Sequence, residues 1–172
     1  MSDLWPDPKF RTLTPALLAS LSADDVGIAV LQHVELLIAT NGESSREATI
    51  HALPAGTQAI YSTWLVDAEV NNGGFNQFFF NPSGQYSGLA LAGYELLGTE
   101  PYAAVMRAAI ATFESERDLL ARYHQAGTLE AFSESYEHTA LDEVDQRYYA
   151  LGDLIYDIWA GFVRRRPELF VA

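Results

Sequence analysis

Apolar residues recur at helical spacing along nearly the whole chain, and no segment shows the strict alternation of an exposed strand. Thr14-Pro15 predicts a short helix to about Ser20, with Thr14 as the N-cap and Pro15 in the first turn. From Ala23 or Asp24 a second helix turns Ile28, Leu31, Leu36 and Ile38 inward, and Asn41-Gly42 closes it. A short helix starts at Ser44-Ser45 and ends near Leu53-Pro54. A longer one runs from about Ala55 to Asn71 with Ile60, Trp64, Leu65 and Ala68 inward.

Downstream of Pro82-Ser83-Gly84 the pattern predicts helices from Gln85 to Leu97, from Glu100-Pro101 to about Tyr123, and from Thr128 to about Tyr136. Leu141 to Arg165 forms the last long helix, which Pro167 stops. The expectation is an all-α fold of about eight helices with an aromatic core. Residues 1–172 are read as a single domain, with 1–13 an irregular N-terminal segment.

The stretch VNNGGFNQFFFNP, residues 70–82, raises the question of chemistry. Asn and Gly tolerate the left-handed conformation that closes a helix, and Gly73 or Gly74 supplies it at little cost. Phe75, Phe78 and Phe79 share one face of a short connecting helix. Asn72, Asn76 and Gln77 are placed to satisfy backbone groups that such a sharp turn strands, and Glu69 is a candidate buried acceptor. Asn81-Pro82 initiates the next turn. The competing reading is a ligand pocket with amides for hydrogen bonds and Phe for stacking, but no nucleophile, base or phosphate-binding Lys accompanies it.

Composition adds a bias of charge. The 172 residues carry 23 Asp and Glu against 10 Lys and Arg, a net charge of -13, and contain no Cys. Such a chain repels nucleic acid and anionic membrane and attracts basic partners. The N-terminus lacks the basic and apolar regions of a signal peptide, and no apolar stretch is long enough to span a bilayer, so a cytoplasmic protein is expected.

The carboxylates are unevenly placed. Glu130, Glu134 and Glu137 form an i, i+4, i+7 row, and Asp153 and Asp157 an i, i+4 pair. Asp142, Glu143 and Asp145 cluster between them, and Glu114, Glu116 and Asp118 add a patch upstream. Residues 114–157 hold eleven carboxylates against Arg117, Arg122 and Arg147, a balance of -8, with Glu143 four residues before Arg147 as its expected neutraliser. Charges on exposed helix faces are ordinary, and like charges at i, i+4 cost only a few tenths of a kcal/mol (~0.2–0.5) each. Several such pairs in consecutive helices, barely offset by bases, suggest a partner that supplies positive charge.

Other chemistry is not visible. There is no Gly-rich phosphate loop, G-x-S-x-G or zinc-protease motif, and His138 with Asp142 finds no second ligand pair. No catalytic residue, cofactor or metal is called for. Arg164-Arg165-Arg166 sits where cations favour a helix C-terminus.

The stretch EVNNGGFNQFFFNPSGQYSGLALAGYELLG resembles the signature of the bacterial DNA-mimic protein family, with Glu69, Asn72-Gly73-Gly74-Phe75, Gln77-Phe78-Phe79, Asn81 and Gly84 in the family's order. Leu141-Asp142, Tyr148, Tyr156, Phe162, Pro167 and Phe170 agree as well, and the resemblance covers roughly residues 55–172. It implies an all-α homodimer whose carboxylates imitate the phosphates of duplex DNA. It further implies binding to basic DNA-binding proteins, such as a helix-turn-helix repressor or a histone-like nucleoid protein, without direct contact to nucleic acid. An immunity-type inhibitor of a basic toxin or nuclease, and a small-molecule-binding or enzymatic domain centred on the Asn-Gly-Phe stretch, are the alternatives.

Overall fold

The helices expected from the spacing of apolar residues form, and two of them prove to be broken. A computed structural model describes residues 6–152 and 154–171, and among these there are ten α-helices, four 3-10 helices and no strand. In chain order the α-helices are α1 Pro15–Ser20, α2 Ala23–Asn41, α3 Arg46–His51, α4 Ala55–Phe80 and α5 Ser87–Leu97. They continue with α6 Glu100–Ser115, α7 Arg117–Ala126, α8 Leu129–Ser135, α9 Leu141–Tyr149 and α10 Leu154–Arg165. The residues group into two compact units. One takes the chain up to Trp64 and the stretch from Leu154 on; the other is Leu65–Gly152.

The first unit is built on α2 against α10. Val30, Val34, Ile38, Ile50, Ile60 and Trp159 are fully buried or nearly so. Trp159 donates its indole N–H to Thr63 Oγ1 at 3.0 Å, so the largest buried side chain also satisfies its polar atom. Thr14 caps α1 by accepting from the Leu17 N–H at 3.1 Å, and the Gly42 N–H closes α2 on the Ile38 carbonyl at 2.8 Å. Arg46 bridges to Glu35 at 3.0 Å and also pairs with Glu43, which ties α3 to α2. Leu31, Leu36 and Ile38 of α2 and Ile60 of α4 are buried as expected, and the other inward positions depart from expectation. Ile28 is 38% exposed while Val26, Ala29 and Val30 are buried, and in α4 Tyr61, Val66 and Val70 are buried beside Ile60 while Trp64, Leu65 and Ala68 are half-buried. Both helices are apolar on more than one side, so spacing alone leaves the edges of their buried faces undetermined.

The N-terminal stretch is not wholly irregular. Pro8–Arg11 winds into a 3-10 helix that Asp7 caps by accepting from the Lys9 N–H, and it buries Phe10. The Asp7 N–H donates to Gln32 Oε1 at 2.6 Å, and the His33 ring meets the Phe10 carbonyl through Nδ1 at 2.8 Å.

In the second unit, Phe75, Phe78 and Phe79 are buried, and Phe79 stacks on Phe113 with centroids 4.2 Å apart. Phe75 meets Tyr148 edge to face at 5.8 Å. The helix expected from Glu100 to Tyr123 breaks at Glu116, which has φ -103° and ψ 8°. The helix expected from Leu141 to Arg165 ends at Tyr149, with Gly152 at φ +67°, and resumes at Leu154. Pro82–Tyr86 is a 3-10 helix, so α5 begins at Ser87 and not at Gln85.

Candidate functional site

Two sets of residues singled out by the sequence lie in the second unit. The first is the Asn-Gly-Phe stretch. Within α4 the backbone leaves helical geometry at Gly73 (φ -159°, ψ 30°) and Gly74 (φ +70°, ψ -179°). Gly74 lies in a region that residues with a Cβ avoid, and a Cβ there would stand 2.1 Å from Asp145 Oδ2. The break strands backbone groups, and residues far along the chain take them up. The Phe75 N–H donates to Asp145 Oδ1 at 2.7 Å, Tyr136 donates to the Gly73 carbonyl at 2.6 Å, and Tyr149 donates to the Val70 carbonyl at 2.8 Å.

The amides do something other than expected. Asn72 donates to Gln77 Oε1 at 3.1 Å and Asn76 to Ser135 Oγ at 2.7 Å, so these side chains bond one another or distant side chains and not the backbone. The half-buried carboxylate of Glu69 gathers three donors: Gln77 at 2.7 Å, Asn81 at 2.8 Å and Ser83 at 2.8 Å. Glu69 is thus the acceptor that the sequence suggested, and it staples the two sides of the break. A cleft of about 430 Å³ opens beside Asn72, Gln77, Phe80, Asn81 and Phe132. Its amides are already engaged with Glu69 and with each other.

Asp67 is a member of this network that the sequence reading missed. It is buried and accepts from Tyr148 and from Asn71, both at 3.0 Å. Its only signal was an acid two residues from Glu69 on a helix otherwise apolar at that depth.

The second set is the carboxylates. Glu130 and Glu134 are exposed on α8, which Thr128 caps by accepting from the Ala131 N–H at 3.2 Å. Glu137 is exposed too, but α8 ends at Ser135, so Glu137 sits in the following turn and not on the helical row. Glu134 and Glu137 lie close enough to Tyr123 on α7 to help push its hydroxyl above the usual range, after desolvation. Asp118, Asp142 and Glu143 are exposed, and none of these six carboxylates forms an ion pair among the described residues. Glu143 and Arg147 do not pair, although four residues separate them on α9.

The other five of the eleven are not in this set. Asp145 is 7% exposed, and burial raises its carboxyl above the ordinary range, the Phe75 N–H opposing this and the Asp142 charge adding to it. Glu116 accepts from Thr139 Oγ1 at 2.5 Å and from the Ala140 N–H at 2.9 Å, which holds it against the start of α9. Glu114 pairs with Arg117. Asp157 is exposed on α10, which belongs to the other unit, and Asp153 lies outside the described residues. Six of the eleven remain because three bond within the unit, one lies on the other unit and one falls outside the described residues, as a linear count cannot reveal.

The unit Leu65–Gly152 holds thirteen carboxylates against four arginines, so it carries -9 of the net -13. Among the described residues no three His, Asp or Glu are grouped to hold a metal ion, and no helix is long and apolar enough to cross a membrane. His138 stacks on Tyr123 at 6.1 Å. Compared with curated proteins and with solved structures, the chain matches none. Residues 51–166, the whole second unit with the flanking parts of the first, match the DMP19-like protein family, and the chain belongs to that family.

Proposed function

We propose that this protein is a DNA mimic that occupies the DNA-binding surface of basic proteins and blocks or modulates their binding to DNA. The observation that carries this reading is the set of six exposed, unpaired carboxylates at Asp118, Glu130, Glu134, Glu137, Asp142 and Glu143. Unpaired acids at this density repel one another, and a partner's Arg and Lys remove that cost. Glu130 and Glu134 stand one helical turn apart, ~5–6 Å at Cβ. Phosphates follow one another along a strand at ~3.4 Å of rise, so basic side chains that grip phosphates reach both rows. The likeness of the signature stretch to DNA-mimic proteins supports the same reading. It takes the protein as a cytoplasmic homodimer whose partners are a helix-turn-helix repressor or a histone-like nucleoid protein, with no nucleic acid bound directly and no catalysis.

The test is a binding titration with a purified histone-like nucleoid protein at about 50 and about 300 mM salt, with duplex DNA as competitor. Affinity is expected to fall at least about tenfold with salt and to be lost to the competitor. The triple variant Glu130→Lys, Glu134→Lys, Glu137→Lys should lose binding with its circular dichroism unchanged. Equal binding by wild type and triple variant, or no binding by either, overturns the proposal. Tight capture of one basic enzyme that duplex DNA does not displace points instead to an immunity-type inhibitor. Ligand-binding at the amides has less support, because Phe75, Phe78 and Phe79 fill a core and Gln77 and Asn81 are held by Glu69.

A further inference from the structure

The first unit contains a cleft of about 490 Å³ that the carboxylate reading does not use. That volume lies within the ~300–1,000 Å³ of small-molecule pockets. Its walls are mostly apolar, with Leu13, Leu37, Leu53 and Phe170 among them. No Asp or Glu lines it, although the chain carries a net charge of -13.

Among the described residues Arg11 is the one permanently charged residue that lines this cleft, and its guanidinium reaches Thr40 on α2. Arg11 is exposed and donates only a long bond, 3.4 Å, to Thr40 Oγ1. It forms no ion pair among the described residues, as is also true of Arg122, Arg147, Arg164 and Arg165, and of these five it alone lines the cleft. The other ionisable lining group is His33. Its Nδ1 is engaged with the Phe10 carbonyl, and burial pushes its pKa down, so the ring is neutral at pH 7.

We propose that this cleft binds a small monocarboxylic acid, with the apolar body against Leu13, Leu37, Leu53 and Phe170 and the carboxylate on Arg11. The guanidinium fork matches a carboxylate with two parallel hydrogen bonds. One cation neutralises one negative charge; a phosphate ester or dicarboxylate brings a second into a protein that repels it. The apolar walls supply the driving force for the body of the ligand. Of the lining residues only Ala52, Leu53 and Pro54 fall within the stretch 51–166 matched by the family, so the site belongs to the flanks of this chain. It is independent of the carboxylates proposed to meet DNA-binding proteins.

The experiment uses decanoate as probe and decanol as its uncharged counterpart, with calorimetry and side-chain NMR on the full chain. Decanoate is expected to bind saturably at one site and to shift the His33 ring and the Leu13, Leu37 and Leu53 methyls. Arg11→Gln, a change on an exposed side chain, should weaken decanoate at least about tenfold and leave decanol unchanged. Leu37→Trp, checked by circular dichroism, should block both probes by filling the cleft. Absence of saturable binding, shifts confined to other residues, or equal decanoate affinity in wild type and Arg11→Gln overturns the proposal.

Discussion

Gly74 and Asp145 lie far apart in the chain, Asp145 being seventy residues beyond Phe75, and occupy each other's space, since Asp145 Oδ2 stands 2.1 Å from where a Gly74 Cβ would be. Gly74→Ala combines backbone strain with this overlap and should destabilise the protein by about 2–4 kcal/mol in urea unfolding. Asp145→Ala leaves the Phe75 N–H without its acceptor and should cost about 1–3 kcal/mol. Asp145→Asn keeps an oxygen there and removes the charge, so it separates the hydrogen bond from the ionisation. Because burial raises the Asp145 carboxyl in the fold, its stabilising contribution is complete below the ordinary carboxylate range. It is lost as pH rises through the raised value. Relative to Asp145→Asn, the wild type should therefore lose stability as pH is raised from about 4. A difference between the two that stays flat with pH would contradict this. The glycines and phenylalanines of the break were legible, because φ preference and helical spacing are local. The partners at Asp145, Tyr136 and Tyr149 were not, because nothing in residues 70–82 says which distant side chain answers a stranded N–H or carbonyl.

The breaks between α6 and α7 and between α9 and α10 show how far local signals reach. Thr14, Thr128 and Gly42 announced helix ends by their own chemistry, and the ends are there. Glu116 gave no such signal, since Glu is at home inside a helix. Its role comes from Thr139 and Ala140, to which its carboxylate binds at the N-terminus of α9, where negative charge is favoured. Glu116→Ala should cost about 1–2 kcal/mol and speed hydrogen exchange at Ala140 and Leu141, with total helix content unchanged. Unaltered exchange at those amides would show that the carboxylate does not hold α9. The second break had a visible warning in Gly152, which an apolar pattern running to Arg165 overrode.

Charge is partitioned across the molecule: -9 of the net -13 falls in Leu65–Gly152, and six of its acids are exposed without an ion pair. Like charges a turn apart cost a few tenths of a kcal/mol (~0.2–0.5) each. Raising salt from about 20 to about 300 mM should therefore stabilise the wild type by roughly 1 kcal/mol in calorimetry. The gain should shrink when Glu130, Glu134 and Glu137 are changed to Gln, and a midpoint insensitive to salt in both proteins would dismiss the idea. The all-α class was readable from the chain because helical spacing repeats throughout it. The set of free carboxylates was readable only in part, because exposure depends on packing, and the cleft at Arg11 not at all, because its walls come from both ends of the sequence. The clamp on the α4 break has a consequence for synthesis. Its three partners lie 63, 70 and 79 residues downstream, and the other unit awaits α10 to cover α2. A nascent chain thus keeps both cores open until α9 and α10 have left the ribosome, which exposes it to chaperones for that time.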